Sequence, residues 1–333
     1  PVVGEGSFLA RNVYCSADPG TRARMSAGVS YAAPLAAGEV ISSFAIGQVI
    51  ESLHPDYAAG EWIAHASGWT EAQLCNGRGY VQKIPPQWTT ADARRRVPLS
   101  SWIGVLGIPG MTAWFGLNRV GSLREGDRVL VSSAAGPVGA TAGQIAKKKG
   151  AARVVGIAGG EAKCRWLREV AGFDQTIDYK ALRALAGTGS AADATYARML
   201  AEAVAAAMPE GVDLLFDNVG NALIDAVLPL MRLRGRIVIS GSLADYNRAD
   251  DPPPGLHNTR HLIASRLRME GILVFDDRKQ FARAQAEIAG WIARGEFAWR
   301  EERFEGIERL PEAFCGLFSG RNFGRRVVRV SAD

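Results

Sequence analysis

Two glycines between an apolar run and a helical pattern form the most informative motif of this chain. Gly136 and Gly139 follow the apolar residues 128–132 and open a helical pattern over 139–149. A helix N-terminus behind such a turn presents backbone N–H groups and a partial positive charge, which can bind a phosphate. The usual spacing is G-x-G-x-x-G, and Ala134 stands at its first glycine. The motif predicts a pyrophosphate-binding turn that consists of Gly136, Pro137, Val138 and Gly139.

The residues after the second strand of this pattern indicate which dinucleotide binds. NAD-specific sites commonly place Asp or Glu about 20 residues beyond the turn, where it binds the ribose 2′-hydroxyl. Here the strand ends at Ala158, Lys163 follows it, and Tyr179 closes the third strand. A 2′-phosphate requires a cation and hydrogen-bond donors. Glu161 is a contrary acidic residue, and Lys163 has an alternative interpretation as a solvated lysine, but the pattern favours NADP(H).

Alternating strands and helices would position these residues. Beyond Pro109, apolar strand patterns alternate with helical patterns, as expected for a parallel sheet that is covered on both faces. Six such units would complete a Rossmann doubly wound parallel sheet of the α/β class. The predicted strands are 128–132, 153–158, 175–178, 212–217, 235–240 and 271–275.

The first hundred residues have a different pattern. Short apolar runs at 40–50, 61–66 and 79–84 are bounded by Gly, Pro and Asp, which is typical of β-strands. Because residues 5–16 look like the second strand of a hairpin, a further strand is expected upstream. The C-terminal residues return to strand-like runs and are expected to rejoin this β-rich part.

The composition argues against several functional classes. The 39 basic and 34 acidic residues are dispersed, and the one tight basic run is Arg94, Arg95 and Arg96. We therefore expect no nucleic-acid partner, which would need a concentrated basic face. No apolar run reaches the roughly 18 residues of a membrane helix. The four cysteines contain no C-x-x-C pair, so a reducing cytoplasmic setting without disulfides is expected.

Several motifs together carry a family resemblance that extends over nearly the whole chain. They lie at residues 106–117, 132–139, 143–147, 155–164, 172–174, 177–180, 216–220, 235–237, 246–247, 268–271 and 322–324. The chain resembles the medium-chain dehydrogenase/reductase superfamily. Within it, the match is to the zinc-free branch of leukotriene B4 12-hydroxydehydrogenase/15-oxo-prostaglandin 13-reductases, 2-alkenal reductases and curcumin reductases. The resemblance implies a β-rich GroES-like catalytic domain over 1–106 and 296–333, and a Rossmann NADP-binding domain over 107–295.

The resemblance also implies further cofactor contacts. Lys163 and Tyr179 would bind the 2′-phosphate, and Asn218 with residues 240–246 would flank the nicotinamide half. The remaining implied contacts of the cofactor are Asn218, Ser240, Gly241, Ser242, Leu243, Tyr246, Ile272, Leu273, Val274 and Asn322. Relatives often pair through edge strands of this domain, so a homodimer is expected.

Two departures from the family pattern concern the substrate. The family usually has Asp-Pro-Tyr-Met-Arg where this chain has Asp-Pro-Gly-Thr-Arg at 18–22, so Gly20 replaces a tyrosine. A second tyrosine is replaced by Ala264. Since these tyrosines line the substrate in relatives, their loss suggests a wider pocket.

The implied activity is NADPH-dependent reduction of the C=C bond of α,β-unsaturated aldehydes or ketones. Hydride would reach the β-carbon, and the resulting enolate would then be protonated. Tyr246 is the candidate catalytic donor to the carbonyl oxygen, where negative charge develops; the alternative is a tyrosine that only packs against the cofactor. A quinone oxidoreductase and a non-catalytic NADPH-sensing scaffold are the other functions that the sequence leaves open.

A zinc-dependent alcohol dehydrogenase is the competing enzyme on this fold. Its sites require clustered Cys, His and Glu ligands. His54 and His65 are isolated, and His257 and His261 have i, i+4 spacing without an acidic third ligand. We therefore expect no metal.

Overall fold

The computed structural model of the protein describes residues 1–25, 30, 32–247 and 254–332. The chain divides into two compact units. Unit 1 consists of Pro1–Ile108, Ala286–Glu296 and Arg300–Asp333, and unit 2 consists of Pro109–Gln285 and Phe297–Trp299. No helix in the described part of the chain is long and apolar enough to cross a membrane.

The strands in chain order are β1 Phe8–Ser16, β2 Ser42–Ser52, β3 Trp62–Gly68, β4 Ala72–Cys75, β5 Val81–Lys83, β6 Arg128–Val131, β7 Arg153–Ala158, β8 Gln175–Asp178, β9 Val212–Asp217, β10 Met231–Ile239, β11 Arg268–Gly271, β12 Glu301–Glu305 and β13 Arg325–Arg329. The α-helices are α1 Gly20–Arg24, α2 Ala91–Arg96, α3 Ile108–Phe115, α4 Pro137–Lys148, α5 Glu161–Glu169, α6 Tyr179–Ala186, α7 Ser190–Ala207, α8 Asn221–Val227, α9 Arg260–Ala264, α10 Phe281–Ala293 and α11 Leu310–Cys315.

Unit 1 is built on a mixed sheet with the strand order β12-β13-β1-β2-β3-β5, and β4 pairs with the other end of β1. The neighbours of β1 are antiparallel to it, including the C-terminal β13, in the register Tyr14↔Arg329. One buried cluster of this unit contains Phe8, Ala10, Val49, Ile63 and Cys75. At the start of β1, the buried Phe8 and Ala10 alternate with the more exposed Leu9 and Arg11, as expected where one face of a sheet is buried.

Unit 2 is built on a six-stranded sheet with the order β11-β10-β9-β6-β7-β8. Each neighbouring pair is parallel. Leu130, Val155 and Leu215 on three adjacent strands are completely buried, which explains why these strands are continuous apolar runs. The strand order confirms the predicted Rossmann doubly wound sheet. The predicted bounds of β7, β8 and β9 agree with the structure.

The predicted position of the last parallel strand was wrong. We expected residues 271–275, but β11 ends at Gly271, and Val274–Gln280 form a 3₁₀ helix. Because β10 ends at Ile239, which pairs with Gly271, β11 has no neighbouring strand beyond that point. The Ile272 N–H still donates to the carbonyl of Ile239 at 3.0 Å. Ile272, Leu273 and Val274 therefore follow the strand and are not part of it.

Candidate active site

The predicted cofactor residues of unit 2 follow the ends of the strands in its parallel sheet. Because these strands are parallel, the segments that follow them begin at one edge of the sheet. The segments are Gly136–Gly139 after β6, Lys163 after β7, Tyr179 after β8, Asn218 after β9, Ser240–Leu243 and Tyr246 after β10, and Ile272–Val274 after β11. The strand order reverses between β6 and β9, and such reversal points are where ligands bind in open α/β sheets.

The glycine turn after β6 leaves no room for a side chain. Ser133 has a left-handed φ of 47°. A Cβ on Gly139 would lie 2.6 Å from the Ser133 carbonyl oxygen and 2.8 Å from the Cα of Ala134, so only glycine fits there. Gly136 is the N-cap residue of α4 and Pro137 its first residue, and no side chain caps this helix end. The backbone N–H groups of the first turn can therefore bind a pyrophosphate.

Ala134 occupies the first glycine position without disturbing the turn. It is completely buried, and its N–H donates to the Ile157 carbonyl on β7 at 2.9 Å. A Cβ on Gly156 would lie 2.9 Å from the Cβ of Ala134. The methyl group of Ala134 thus uses the space that Gly156 leaves on the neighbouring strand.

The tip of β7 meets the start of α6. A Cβ on Gly159 would lie 2.6 Å from Cε1 of Tyr179 and 3.0 Å from Cε of Lys180. The Asp178 carboxylate accepts hydrogen bonds of 2.9 Å from the N–H groups of Gly160 and Lys180 and so joins the two segments. Burial raises the pKa of Tyr179, which keeps its hydroxyl protonated and able to donate to a phosphate.

The acidic residue near this tip has partners on its own helix. Glu161 accepts a hydrogen bond of 3.0 Å from Arg168, and the Nε of Arg165 lies 3.8 Å from its carboxylate. Lys163 stands in the first turn of the same helix, α5. Local arginines therefore offset the charge of Glu161, which reduces its repulsion of an anion near Lys163.

Asn218 follows β9 and is hydrogen-bonded to the segments that follow β6 and β10. Its Nδ2 donates to the Ser132 carbonyl at 2.8 Å, and its Oδ1 accepts from the Ser240 hydroxyl at 3.1 Å. The Asn218 carbonyl also accepts from the Leu243 N–H at 3.1 Å. The predicted segment after β10 is thus bonded directly to the turn after β9.

Ser132 and Asp217 form a buried pair that was not among the predicted cofactor residues. The Ser132 hydroxyl donates to Oδ1 of Asp217 at 2.6 Å. Burial raises the pKa of Asp217 to about 6, although the Ser132 hydroxyl and the N–H groups of residues 218–220 donate to it and oppose the shift. The sequence contains one signal for this pair, since a polar residue ends or follows each of two strands that are otherwise apolar.

Tyr246 lies beside the segment that follows β10. Its hydroxyl lies 3.4 Å from the position that a Cβ on Gly241 would occupy. Burial raises the pKa of Tyr246, and hydrogen bonds from the backbone and side chain of Ser242 only partly oppose the shift. At neutral pH the hydroxyl is therefore protonated, as a hydrogen-bond donor must be.

The remaining predicted residues lie elsewhere in the two units. Asn322 belongs to unit 1 and precedes β13. Gly20 is the first residue of α1, and Ala264 is the last residue of α9. Within the described residues, no group of three or more His, Cys, Asp and Glu side chains could hold a metal ion.

Comparison with known proteins gives a consistent result over the whole chain. Residues 1–83 match a family model described as the N-terminal domain of oxidoreductase, and residues 137–290 match one described as zinc-binding dehydrogenase. An NADPH-dependent curcumin reductase from Escherichia coli (strain K12) is 38% identical over 99% of this chain and 89% of its own length. An NADP(+)-dependent 2-alkenal reductase from Nicotiana tabacum is 37% identical over 99% of this chain and 89% of its own length.

A solved structure has a similar fold. The crystal structure of CurA in complex with NADPH from Vibrio vulnificus superimposes with a TM-score of 0.83 at 35% sequence identity. The match covers 99% of this chain and 91% of that chain.

Proposed function

This chain belongs to the zinc-independent medium-chain dehydrogenase/reductase family, and from that premise we propose that it uses NADPH to reduce the C=C bond of α,β-unsaturated ketones and aldehydes. The observation that carries the proposal is the uncapped N-terminus of α4 behind a turn that only glycine can form, at the reversal point of the sheet. Two relatives, named as a curcumin reductase and a 2-alkenal reductase, match this chain over 99% of its length and 89% of their own.

The preference for NADPH is supported at the tip of β7. The chain has no acid at the end of this strand, and Tyr179 lies against the backbone of Gly159. Lys163 follows in the first turn of α5. We propose that Lys163 and Tyr179 bind the 2′-phosphate, because a cation and a neutral donor suit a dianion. The glycine turn would bind the pyrophosphate, Asn218 with residues 240–246 would flank the nicotinamide half, and residues 272–274 would add further contacts to the cofactor.

When bound, NADPH supplies a hydride from C4 of its nicotinamide, and the substrate β-carbon accepts it. The former C=C bond would become a single bond as the α-carbon takes a proton from water, with NADP(+) as the oxidised product. During this step, negative charge develops on the carbonyl oxygen, so a hydrogen-bond donor at that atom lowers the barrier. We assign this role to the Tyr246 hydroxyl, whose raised pKa keeps it protonated.

The substrate is expected to be larger than a simple alkenal. Gly20 and Ala264 are small residues where the family resemblance implies tyrosines. We propose that the chain accepts bulky enones, acts as a homodimer and works in a reducing cytoplasm, where its free cysteines would stay reduced.

The test is an NADPH-consumption screen over enals, enones and quinones, run in parallel with NADH. We expect turnover with enals and enones, and faster turnover with NADPH than with NADH. Turnover of quinones alone would replace the proposal with a quinone oxidoreductase. Cofactor binding without turnover of any acceptor would indicate a sensing scaffold.

Replacing Tyr246 by phenylalanine tests the assigned donor. Loss of one donor to developing charge should lower kcat for an enone on the order of 100-fold. The Kd of NADPH should change little, because the aromatic ring remains. Single-turnover kinetics measure the first quantity and fluorescence titration the second. Full turnover by Tyr246→Phe would show that the residue only packs against the cofactor.

A further inference from the structure

Ser132 and Asp217 lie on either side of the reversal point of the parallel sheet. Ser132 follows β6, Asp217 ends β9, and the strands pair next to them in the register Val131↔Phe216. Both side chains are completely buried, and their hydroxyl–carboxylate hydrogen bond measures 2.6 Å. This bond joins β6 and β9, the neighbouring strands at which the strand order of the parallel sheet reverses.

Both members of the pair also accept hydrogen bonds from the turn that follows β9. The Ser132 hydroxyl accepts from the Asn218 N–H at 2.8 Å, and Oδ2 of Asp217 accepts from the Gly220 N–H at 2.8 Å. On the other side, the chain passes from Ser132 directly into the glycine turn, where the Ser133 carbonyl accepts from the Gly136 N–H at 2.9 Å. This pair therefore links the turn after β6 to the turn after β9, in addition to the bond from Nδ2 of Asn218 to the Ser132 carbonyl at 2.8 Å.

A buried carboxylate is an unfavourable group for this link in terms of the free energy of folding. Among the described residues, the groups that donate to Asp217 are neutral: the Ser132 hydroxyl and the backbone N–H groups of residues 218–220. A buried carboxylate without a cation is unfavourable for folding. An amide would be easier to bury, but it has one oxygen, whereas donors approach both oxygens of Asp217. The two oxygens of the Asp217 carboxylate therefore fix the positions of two donors, although burial of its charge does not stabilise the fold.

We propose that Ser132 and Asp217 are positioning residues that set the distance between the glycine turn and the Asn218 turn, so that one dinucleotide can bind to both. The inference rests on the proposed use of NADPH. It assigns neither residue a contact with the cofactor. Loss of the pair should therefore weaken the binding of ligands that span both turns and leave the affinity for ligands that reach only one turn unchanged.

The test compares the binding of NADPH with that of a ligand that corresponds only to its adenosine half. NADPH spans both turns, whereas adenosine 2′,5′-bisphosphate has no nicotinamide half and needs only the glycine turn and the 2′-phosphate site. In Ser132→Ala and Asp217→Asn we expect the Kd of NADPH to rise about tenfold, as for loss of a buried hydrogen bond. The Kd of the bisphosphate should stay within about twofold. The KM for NADPH should rise by a larger factor than that by which kcat falls.

Asp127→Asn is the matched control. Asp127 precedes β6 at the opposite end of the same strand and forms a buried ion pair with Arg236. This variant should lower the melting temperature without changing the ratio of the two Kd values. Ser132→Ala leaves the carboxylate in place and decides the question if Asp217→Asn does not fold.

The outcomes separate this inference from the proposed function. Equal weakening of both ligands, or no weakening of NADPH in folded Ser132→Ala, would overturn the positioning role while wild-type NADPH binding still stands. Wild-type protein that binds no NADPH would overturn the proposed function and this inference with it.

Discussion

Both units bury a polar cluster in a sheet, but the two clusters differ in where they lie. In unit 1, His65 on β3 is completely buried, and its Nε2 lies 2.9 Å from Oδ1 of Asn12 on β1. Asn12 in turn donates to the Ser67 hydroxyl at 3.0 Å and to the Thr70 carbonyl at 2.9 Å. These bonds satisfy the cluster within the unit, so its role is structural.

The cluster of unit 2 stands at the ends of parallel strands instead. Asp217 and Ser132 are buried, but their partner Asn218 is half-buried, and so is Ser240 beyond it. A parallel sheet leaves polar groups at its carboxyl edge because the chain must leave each strand there. The comparison teaches that burial of polar groups alone does not mark a site, whereas a polar network that reaches the strand ends does.

Glycine replacement gives the largest expected difference between the units. In Gly139→Ala the new Cβ would meet backbone atoms at 2.6 Å and 2.8 Å. Since the turn must shift, NADPH binding should weaken on the order of 100-fold. In the matched variant Gly47→Ala of unit 1, the Cβ would lie 3.1 Å from the Arg11 carbonyl and 3.2 Å from Nε2 of His65.

Gly47→Ala should therefore destabilise the fold by about 1–3 kcal/mol, as overpacking does, and leave NADPH binding unchanged. Calorimetric titration and urea denaturation measure the two effects. Tight NADPH binding by Gly139→Ala would refute the assignment of the turn.

Two of the buried titratable groups, His65 and Asp217, should respond to pH in opposite directions. Desolvation lowers the pKa of His65 to about 4, from 6.5 when unfolded, so the unfolded chain binds more protons between these values. Stability from His65 therefore rises with pH across this window. Asp217 has a pKa of about 6, raised from 3.8, so the folded chain binds more protons there and its contribution falls as pH rises.

Each effect amounts to roughly 3 kcal/mol across its full window. Urea denaturation between pH 4 and 7 measures it. Relative to the wild type, His65→Gln should lose stability with rising pH, and Asp217→Asn should gain it. Parallel pH profiles of the two variants would contradict the comparison.

Lys163→Gln tests the specificity of unit 2 with a smaller effect. Loss of the cation should weaken NADPH about tenfold, because a hydrogen bond to a charged group contributes about 1.5–3 kcal/mol. The Kd of NADH should not change, since NADH has no 2′-phosphate. Fluorescence titration with both cofactors measures the ratio, and equal weakening of both would exclude the assigned role.

Arg94→Ala in unit 1 should give the smallest effect. The guanidinium of Arg94 lies 4.6 Å from the centre of the Trp62 ring, and its Nε donates to the Thr89 carbonyl at 2.9 Å. The basic run at 94–96 is thus partly a packing element. We expect a loss of about 0.5–1 kcal/mol in stability and no change in NADPH binding. Weaker NADPH binding by this variant would mean that unit 1 also supplies cations to the cofactor.

Local features of this protein could be predicted from the sequence. The glycine turn, the helix behind it and the strands β7, β8 and β9 depend on residues close together in the chain, so apolar periodicity and turn residues suffice to find them. The strand order followed from the alternation of strands and helices. Lys163 and Tyr179 could be nominated because Tyr179 follows β8 directly and Lys163 lies in the first turn of the helix after β7.

The tertiary structure alone decided the features that depend on distant partners. The end of β11 depends on where β10 ends, and an apolar run contains no information about that partner. The bond between Ser132 and Asp217 joins residues 85 positions apart and requires β6 and β9 to be neighbours. The burial that shifts the pKa values of His65 and Asp217 in opposite directions likewise arises only when the sheets assemble, because desolvation is a property of the packed fold.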